Sequence, residues 1–313
     1  MARVLVTRQL PDGGLDPLID AGHEIVQRDD DTPFTPAELT AALADVDAAV
    51  CVLTDVLDAS TIAGASHLRV IANVAVGYNN IDVDAARAGG ITVCNTPGVL
   101  DETTADLVFL LILSASRLAH DAASDLRTDR WPGWAMNQYL GHDVHGATLG
   151  LVGFGRIGQA VARRATGFGM NVIHHTRSDT GLTGWIAELH RLLREADIVS
   201  VHVPLTAETT RLIGPAEFAA MKSSAVFVNT ARGPVVDEAA LAQALTDGTI
   251  FAAGIDVFER EPLVHPALLA APRTVLVPHI GSATVATRTR MSRLAAQGAA
   301  DVLAGRVPVN AIT

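Results

Sequence analysis

Short β-branched runs alternate with Ala- and Leu-rich stretches of helical spacing along almost the whole chain. The first series predicts strands over 3–7, 48–53, 69–73 and 91–95, with helices over 36–44 and 83–88 between them. A long helix over 102–118 comes next. A second series predicts strands over 148–152, 172–175, 198–203, 225–229, 252–256 and 274–277. Strand–helix–strand alternation of this kind leads to parallel sheets covered on both faces. The expected fold class is therefore α/β, with two doubly wound parallel-sheet domains. The stretch 130–146, with Trp131, Pro132, Gly133 and Trp134, breaks the pattern and is expected to be a surface excursion. A last helix over 283–303 has no strand after it and can return to cover the first domain. The expected division is thus 1–98 plus 284–313 against an inserted 99–283. A cleft between the sheets, with hinges near Gly98 and Ala283, is the expected place for a ligand.

Composition narrows the classes. At 313 residues two domains are expected. Apolar residues make up 49% and charged residues 18%, which excludes a disordered chain. The net charge of −11, without a Lys/Arg block, argues against nucleic acid and anionic membrane as partners. Aromatics at 4% are too few for base-stacking platforms. Cys51 and Cys94 sit in apolar strand-like runs and read as core residues in a reducing compartment. The chain enters a strand by Val4, leaving no room for a signal peptide, and the run 108–113 is too short to span a membrane. A cytoplasmic protein is expected. The helix over 102–118 is apolar nearly all round, more than burial within one domain requires. A homodimer through this helix and the 130–146 excursion is the expected consequence.

Gly153-Phe154-Gly155-Arg156-Ile157-Gly158 follows the strand over 148–152 and opens a helix whose inward face is Ile157, Val161, Ala165 and Phe168. In a dinucleotide site the first glycine permits a tight turn, the second lets backbone approach a pyrophosphate, and the third allows close helix–strand packing. The helix N-terminus then offers unpaired N–H groups and positive dipole. GxGxxG alone is weak, but in a strand–turn–helix unit it is a much stronger signal than a tight turn without ligand. The end of the next strand chooses between dinucleotides. An acidic residue about 20 positions on would bind the ribose 2′-hydroxyl of NAD(H). Thr176, Arg177 and Ser178 stand there instead, groups that attract a 2′-phosphate, with Asp179 one place further. NADP(H) is expected to be preferred, with NAD(H) the alternative.

Three more motifs lie at strand ends: Asn229-Thr230-Ala231-Arg232-Gly233, the stretch from Asp256 to Pro262, and Pro278-His279-Ile280-Gly281-Ser282. A histidine beside a carboxylate supplies an acid/base, and an arginine is a permanent two-pronged partner for a carboxylate or carbonyl oxygen. Each could be ordinary taken singly, a solvated loop or a core histidine. Adjacent His174 and His175 point to opposite strand faces and have no third ligand nearby, so no metal site is expected.

The motifs NVAVGYNNID at 73–82, GFGRIG at 153–158, MKSSAVFVNTARGPVV at 221–236 and PHIGSAT at 278–284 resemble the D-isomer-specific 2-hydroxyacid dehydrogenase family, in particular its glyoxylate/hydroxypyruvate reductase branch. The likeness runs over essentially the whole chain. It implies a split flavodoxin-like substrate domain with an inserted Rossmann domain, and NADPH-dependent reduction of a small 2-oxo acid (glyoxylate, hydroxypyruvate) to the D-2-hydroxy acid. Arg232 would clamp the 2-oxo acid, His279 would be the acid, and Glu261, the residue before Pro262, its carboxylate partner. Glu259 lies in the same motif but off the matching position and is left unassigned. The Val76 and Gly77 N–H groups would hold the substrate carboxylate, Leu53 would line the pocket, and Trp134 would reach a partner subunit's site. The cofactor matches are Thr104, Arg156, Ile157, Val203, Pro204, Thr209, Thr230, Asp256 and Gly281, with Asp256 near the nicotinamide carboxamide. A phosphoglycerate or bulkier 2-oxo acid substrate, and a non-catalytic NAD(H)-binding corepressor, are the competing readings.

Overall fold

The computed structural model describes residues 1–28 and 30–312 and divides into two compact units, Met1–Leu100 with Ser282–Thr313, and Asp101–Gly281. The first unit holds five parallel strands: β1 Arg3–Val6, β2 Glu24–Gln27, β3 Ala48–Cys51, β4 Val70–Asn73 and β5 Thr92–Cys94. Their order, β2-β1-β3-β4-β5, is the flavodoxin-like one. Alternate residues of each strand serve opposite faces. Leu5, Ala49, Cys51 and Ile71 join one core layer, and Val4, Val6, Val50 and Ala72 the other. The second layer is closed by the helix Val285–Leu303, through Ala295, Ala296, Ala299 and Ala300. Small residues let it lie close. A Cβ at Gly298 would fall 2.7 Å from the Asn310 carboxamide and 3.1 Å from Cys94 Sγ.

The second unit has six parallel strands: β6 Thr148–Val152, β7 Asn171–His175, β8 Ile198–Val201, β9 Val226–Asn229, β10 Ala252–Ile255 and β11 Thr274–Leu276. They run in the order β11-β10-β9-β8-β6-β7. An isolated parallel bridge between His174 and Trp185 adds a vestigial strand outside β7. With it, the Rossmann order 3-2-1-4-5-6 is complete and β11 extends it. The strand order reverses beside β6, so the crevice at the carboxyl end of β6 is where this architecture receives a ligand.

The helix Asp101–Ser116 explains its apolar surplus within this unit. Val108, Leu111, Ile112 and Ala115 are buried in its core, and a Cβ on Gly254 of β10 would stand 2.7 Å from Leu111 Cβ. Its acidic edge pairs with the helix Arg156–Ala165: Glu102 and Asp106 each lie 2.7 Å from Arg164. Among its large apolar residues, Leu110 remains 50% exposed. No single helix among the described residues is long and apolar enough to cross a membrane. The bent pair Asp101–Ser116 with Ala119–Arg127 passes on length and composition, but its first helix is core.

The sequence pattern did not place β2, whose EIVQ offers two apolar residues, nor the helices Asp16–Asp20, Ala59–Ala63, Ala119–Arg127, Leu189–Glu195, Pro215–Ala220, Glu238–Thr246 and Pro266–Ala270. Most other elements end one or two residues earlier than the pattern suggests, where the chain turns to present a loop.

Candidate active site

The glycine turn has the geometry its spacing requires. Gly153 takes φ +97°, and a Cβ there would stand 2.7 Å from the His202 carbonyl. A Cβ on Gly158 would fall 2.6 Å from the Gly153 oxygen, so helix and strand pack at van der Waals contact. Around Gly155 there is open space instead. Gly155 is the N-cap of the helix Arg156–Ala165, and among the described residues no side-chain cap bond closes that end. A turn that is tight below and open above, at a helix end that lacks a side-chain cap, fits a pyrophosphate. Ile157 is half-buried against the core and Arg156 is exposed. Beneath the turn, burial lowers His202 to about 4, so it is neutral near pH 7; its Nε2 lies 2.9 Å from Ser200 Oγ.

At the end of β7, Thr176 Oγ1 donates to the Ser178 carbonyl (2.6 Å), and Arg177 and Ser178 are exposed. Asp179 is turned into its own loop, accepting the Gly181 N–H at 2.8 Å. His174 stacks on Phe154 (centroids 3.9 Å apart) and meets Thr180 Oγ1 at 2.8 Å, while His175 Nδ1 bonds the Ile186 carbonyl. Among the described residues no group of three or more His, Cys, Asp or Glu could hold a metal ion.

After β8, the Val203-Pro204 turn is held by Thr209, whose hydroxyl donates to the Pro204 carbonyl at 2.6 Å. After β9, the Asn229 carboxamide accepts from the Ala231 N–H (3.0 Å) and donates to the Arg232 carbonyl (3.1 Å), winding the chain so that Arg232 leaves the sheet end. Thr230 is buried and its hydroxyl has no hydrogen-bond partner among the described residues, a donor left for a ligand. After β10, Asp256 is 1% exposed and accepts the N–H groups of Ile280 (2.6 Å) and Gly281 (3.0 Å). The Asp256 carbonyl accepts the His279 N–H at 2.9 Å. Asp256 thereby sets the turn after β11, in which His279 takes φ +52°. The Gly281 carbonyl in turn receives Thr104 Oγ1 at 3.3 Å.

Because β9, β10 and β11 are adjacent, these turns meet. Glu261 Oε2 lies 2.8 Å from His279 Nδ1, both side chains about a quarter exposed, and Glu261 Oε1 accepts the Phe258 N–H at 3.0 Å. Burial raises the Glu261 carboxyl, but the His279 hydrogen bond and charge, the Phe258 N–H and Arg232 together hold it below its ordinary value. Its contribution to stability is therefore complete above about pH 4.5 and is lost as pH falls through the depressed native value. Asp256 has the opposite sign. Burial raises it to about 6 against the Ile280 N–H, and the charge it carries above that pH costs stability. Burial lowers the Arg232 guanidinium, and the Glu261 charge partly restores it.

In the first unit, the loop after β4 turns the carbonyls of Val76 and Gly77 toward the carboxamides of Asn95 (2.8 Å) and Asn73 (2.9 Å). Leu53 is 36% exposed after β3. Trp134 is 77% exposed in the excursion, and Trp131 Nε1 lies 3.3 Å from Gln138 Oε1.

Gly233 was not singled out from sequence, yet a Cβ there would be 1.9 Å from the Phe258 carbonyl. Backbone contact at that point ties the Arg232 turn to the Glu261 loop. A glycine directly after a candidate arginine was the available signal.

A glycine turn at the switch point and a histidine–carboxylate pair beside an arginine, on one Rossmann sheet, are the parts that a nicotinamide-dependent oxidoreductase uses. The family model for the D-isomer specific 2-hydroxyacid dehydrogenase NAD-binding domain matches residues 109–281. The glyoxylate reductases of Korarchaeum cryptofilum and Thermococcus litoralis are 44% and 41% identical to the chain, each over 99% of it and 95% and 96% of their own length. A crystal structure from Thermus thermophilus superposes with TM-score 0.94 at 44% identity, covering 99% of this chain and all of that one. The NADPH-dependent glyoxylate/hydroxypyruvate reductase of Sinorhizobium meliloti, solved with NADP and malonate, reaches 0.88 at 35% identity over 99% and 96%. The chain belongs to the D-isomer-specific 2-hydroxyacid dehydrogenase family and is an NAD(P)-dependent enzyme.

Proposed function

We propose that the enzyme reduces a small 2-oxo acid, glyoxylate or hydroxypyruvate, to the D-2-hydroxy acid with NADPH. The observation that carries this reading is the 2.8 Å bond between Glu261 and His279 Nδ1. It leaves the Nε2 edge of the ring to give a proton to a carbonyl oxygen. A bound nicotinamide supplies a hydride for the substrate C2. Arg232 offers its planar fork to the carboxylate and carbonyl oxygens, countering charge as it develops on oxygen. Glu261 orients the ring through its bond to Nδ1. In the first unit we assign the Val76 and Gly77 N–H groups to an anionic substrate group, their carbonyls being engaged elsewhere, and Leu53 to the pocket wall. The names of the relatives at 41% and 44% identity support glyoxylate as substrate.

On the cofactor side we assign the Gly153–Gly158 turn with Arg156 and Ile157, together with Thr104, Val203, Pro204, Thr209, Thr230, Asp256 and Gly281. Thr176, Arg177 and Ser178 are assigned to the 2′-phosphate of NADPH. The Gly181 N–H engages one oxygen of Asp179, the acidic residue next to these groups. The test is NADPH and NADH oxidation in parallel with glyoxylate, hydroxypyruvate and a bulkier 2-oxo acid. NADPH with the two small acids should be fastest. Arg177→Ala should raise the KM for NADPH about 10- to 100-fold, the worth of a charged hydrogen bond, and leave that for NADH nearly unchanged. Turnover with NADH alone would overturn the NADPH assignment, and turnover with the bulky acid alone the substrate assignment.

Leu126, Trp131, Trp134, Met136 and Leu140 are all exposed on the Ala119–Arg127 helix and the 130–146 excursion. We assign this surface to a second copy of the chain, with Trp134 reaching that copy's site. Light scattering at micromolar concentration should give twice the mass calculated for one chain, and a single-chain mass would overturn the assignment.

A further inference from the structure

Glu259 shares a motif with Glu261 but does not face His279. Its Oε1 accepts the Glu238 N–H at 3.0 Å, and Glu238 in return accepts the Glu259 N–H through Oε1. The second Glu238 oxygen accepts the N–H of His265 at 3.1 Å. Glu238 is 5% exposed at the first position of the helix Glu238–Thr246, which Asp237 already caps through the Ala240 N–H. A first-turn acid that served only the helix dipole could stay in water. This one is buried and spends both oxygens on another segment, a cost that those bonds must offset. The two N–H groups it holds, at 259 and 265, bracket Glu261. Outside the pair, Arg211 stands 3.7 Å from both Glu259 and Asp237.

We propose that Glu238 and Glu259 form a reciprocal carboxylate clamp that positions the Glu261 loop, and through it the hydrogen bond to His279. This rests on the reading of Glu261 and His279 given above. Both clamp residues are positioning residues, since neither touches the pair. The groups that face the pair directly are Arg232 from the β9 turn and Asp256 from the end of β10, and neither is altered by a substitution in the clamp.

The test is the pH profile of 2-oxo acid reduction, whose rate falls at high pH as the proton donor is lost. Glu259→Ala should lower kcat about tenfold, within the range of a misplaced acid/base, and move the alkaline limb to lower pH. Glu259→Gln keeps an acceptor for the Glu238 N–H and should stay near the parent in both. Glu259→Asp keeps the charge beside Arg211 but draws the carboxylate back by one methylene. It should move the limb in the same direction, and it serves if the alanine variant does not fold. A role in stability alone would lower Tm and the active fraction with the limb unmoved, and that result overturns the clamp. Glu261→Gln is the control. If it moves the limb while Glu259→Ala and Glu259→Asp do not, the clamp is wrong and the Glu261 reading survives. If it leaves the limb in place, that reading falls and the clamp falls with it.

Discussion

His279→Ala is expected to lower turnover of the 2-oxo acid by about 10²- to 10⁴-fold, the usual worth of a positioned acid/base. The loss should fall on kcat, because the ring acts on the oxygen that gains charge during reduction rather than on ground-state binding. The turn that carries the ring should survive the change. Asp256 holds it through the N–H groups of Ile280 and Gly281 and through its own carbonyl, none of which involves imidazole. Cofactor binding, followed by quenching or by calorimetry, should therefore remain near the parent value. Near-normal kcat in this variant would remove His279 from the mechanism.

Arg232→Lys is expected to cost about 10²- to 10³-fold in kcat/KM, comparable to removing one oxyanion donor. Charge alone does not substitute, for two reasons. A guanidinium presents two parallel N–H vectors to a carboxylate or an adjacent pair of oxygens, whereas an ammonium is a point donor. Burial also already lowers the guanidinium, the Glu261 charge restoring it in part, and an amine of lower ordinary pKa has less to lose before it is neutral. The lysine variant should therefore recover partly as pH is lowered. An unchanged kcat/KM would count against the clamp on substrate.

The strand–helix alternation was legible in the sequence because buried parallel strands are short, apolar and β-branched, and ten of the eleven strands show that pattern. β2 escaped because an edge strand half in solvent needs few apolar residues. Glycine spacing gave the dinucleotide turn, since each glycine there answers a steric demand local to the motif. His279, Glu261 and Arg232 stood out as ionisable residues at strand ends, but their meeting depends on β9, β10 and β11 being neighbours, which sequence order alone does not dictate. Glu238 and Gly233 were invisible for a related reason. One looks like a routine first-turn acid and the other like a turn glycine, until a loop 20 to 30 residues away comes to rest against each. The apolar surplus of the Asp101–Ser116 helix pointed outward in the sequence, yet most of it is taken up by the unit's own sheet and the helix beside it.

The closing of the first unit's sheet by the helix Val285–Leu303 bears on how the chain is made. Synthesis delivers all five strands of that sheet nearly 200 residues before the helix that covers one face of it. Until then Val4, Val6, Val50, Val70 and Ala72 have no alanine-lined partner, while every strand of the second unit emerges within a single uninterrupted stretch. The later-made unit is therefore the one able to finish folding first on the ribosome, with the earlier-made sheet waiting, sticky on one side, for the helix Val285–Leu303. A chain cut short before Thr284 retains the whole dinucleotide turn and loses solubility through a surface that lies nowhere near it in sequence.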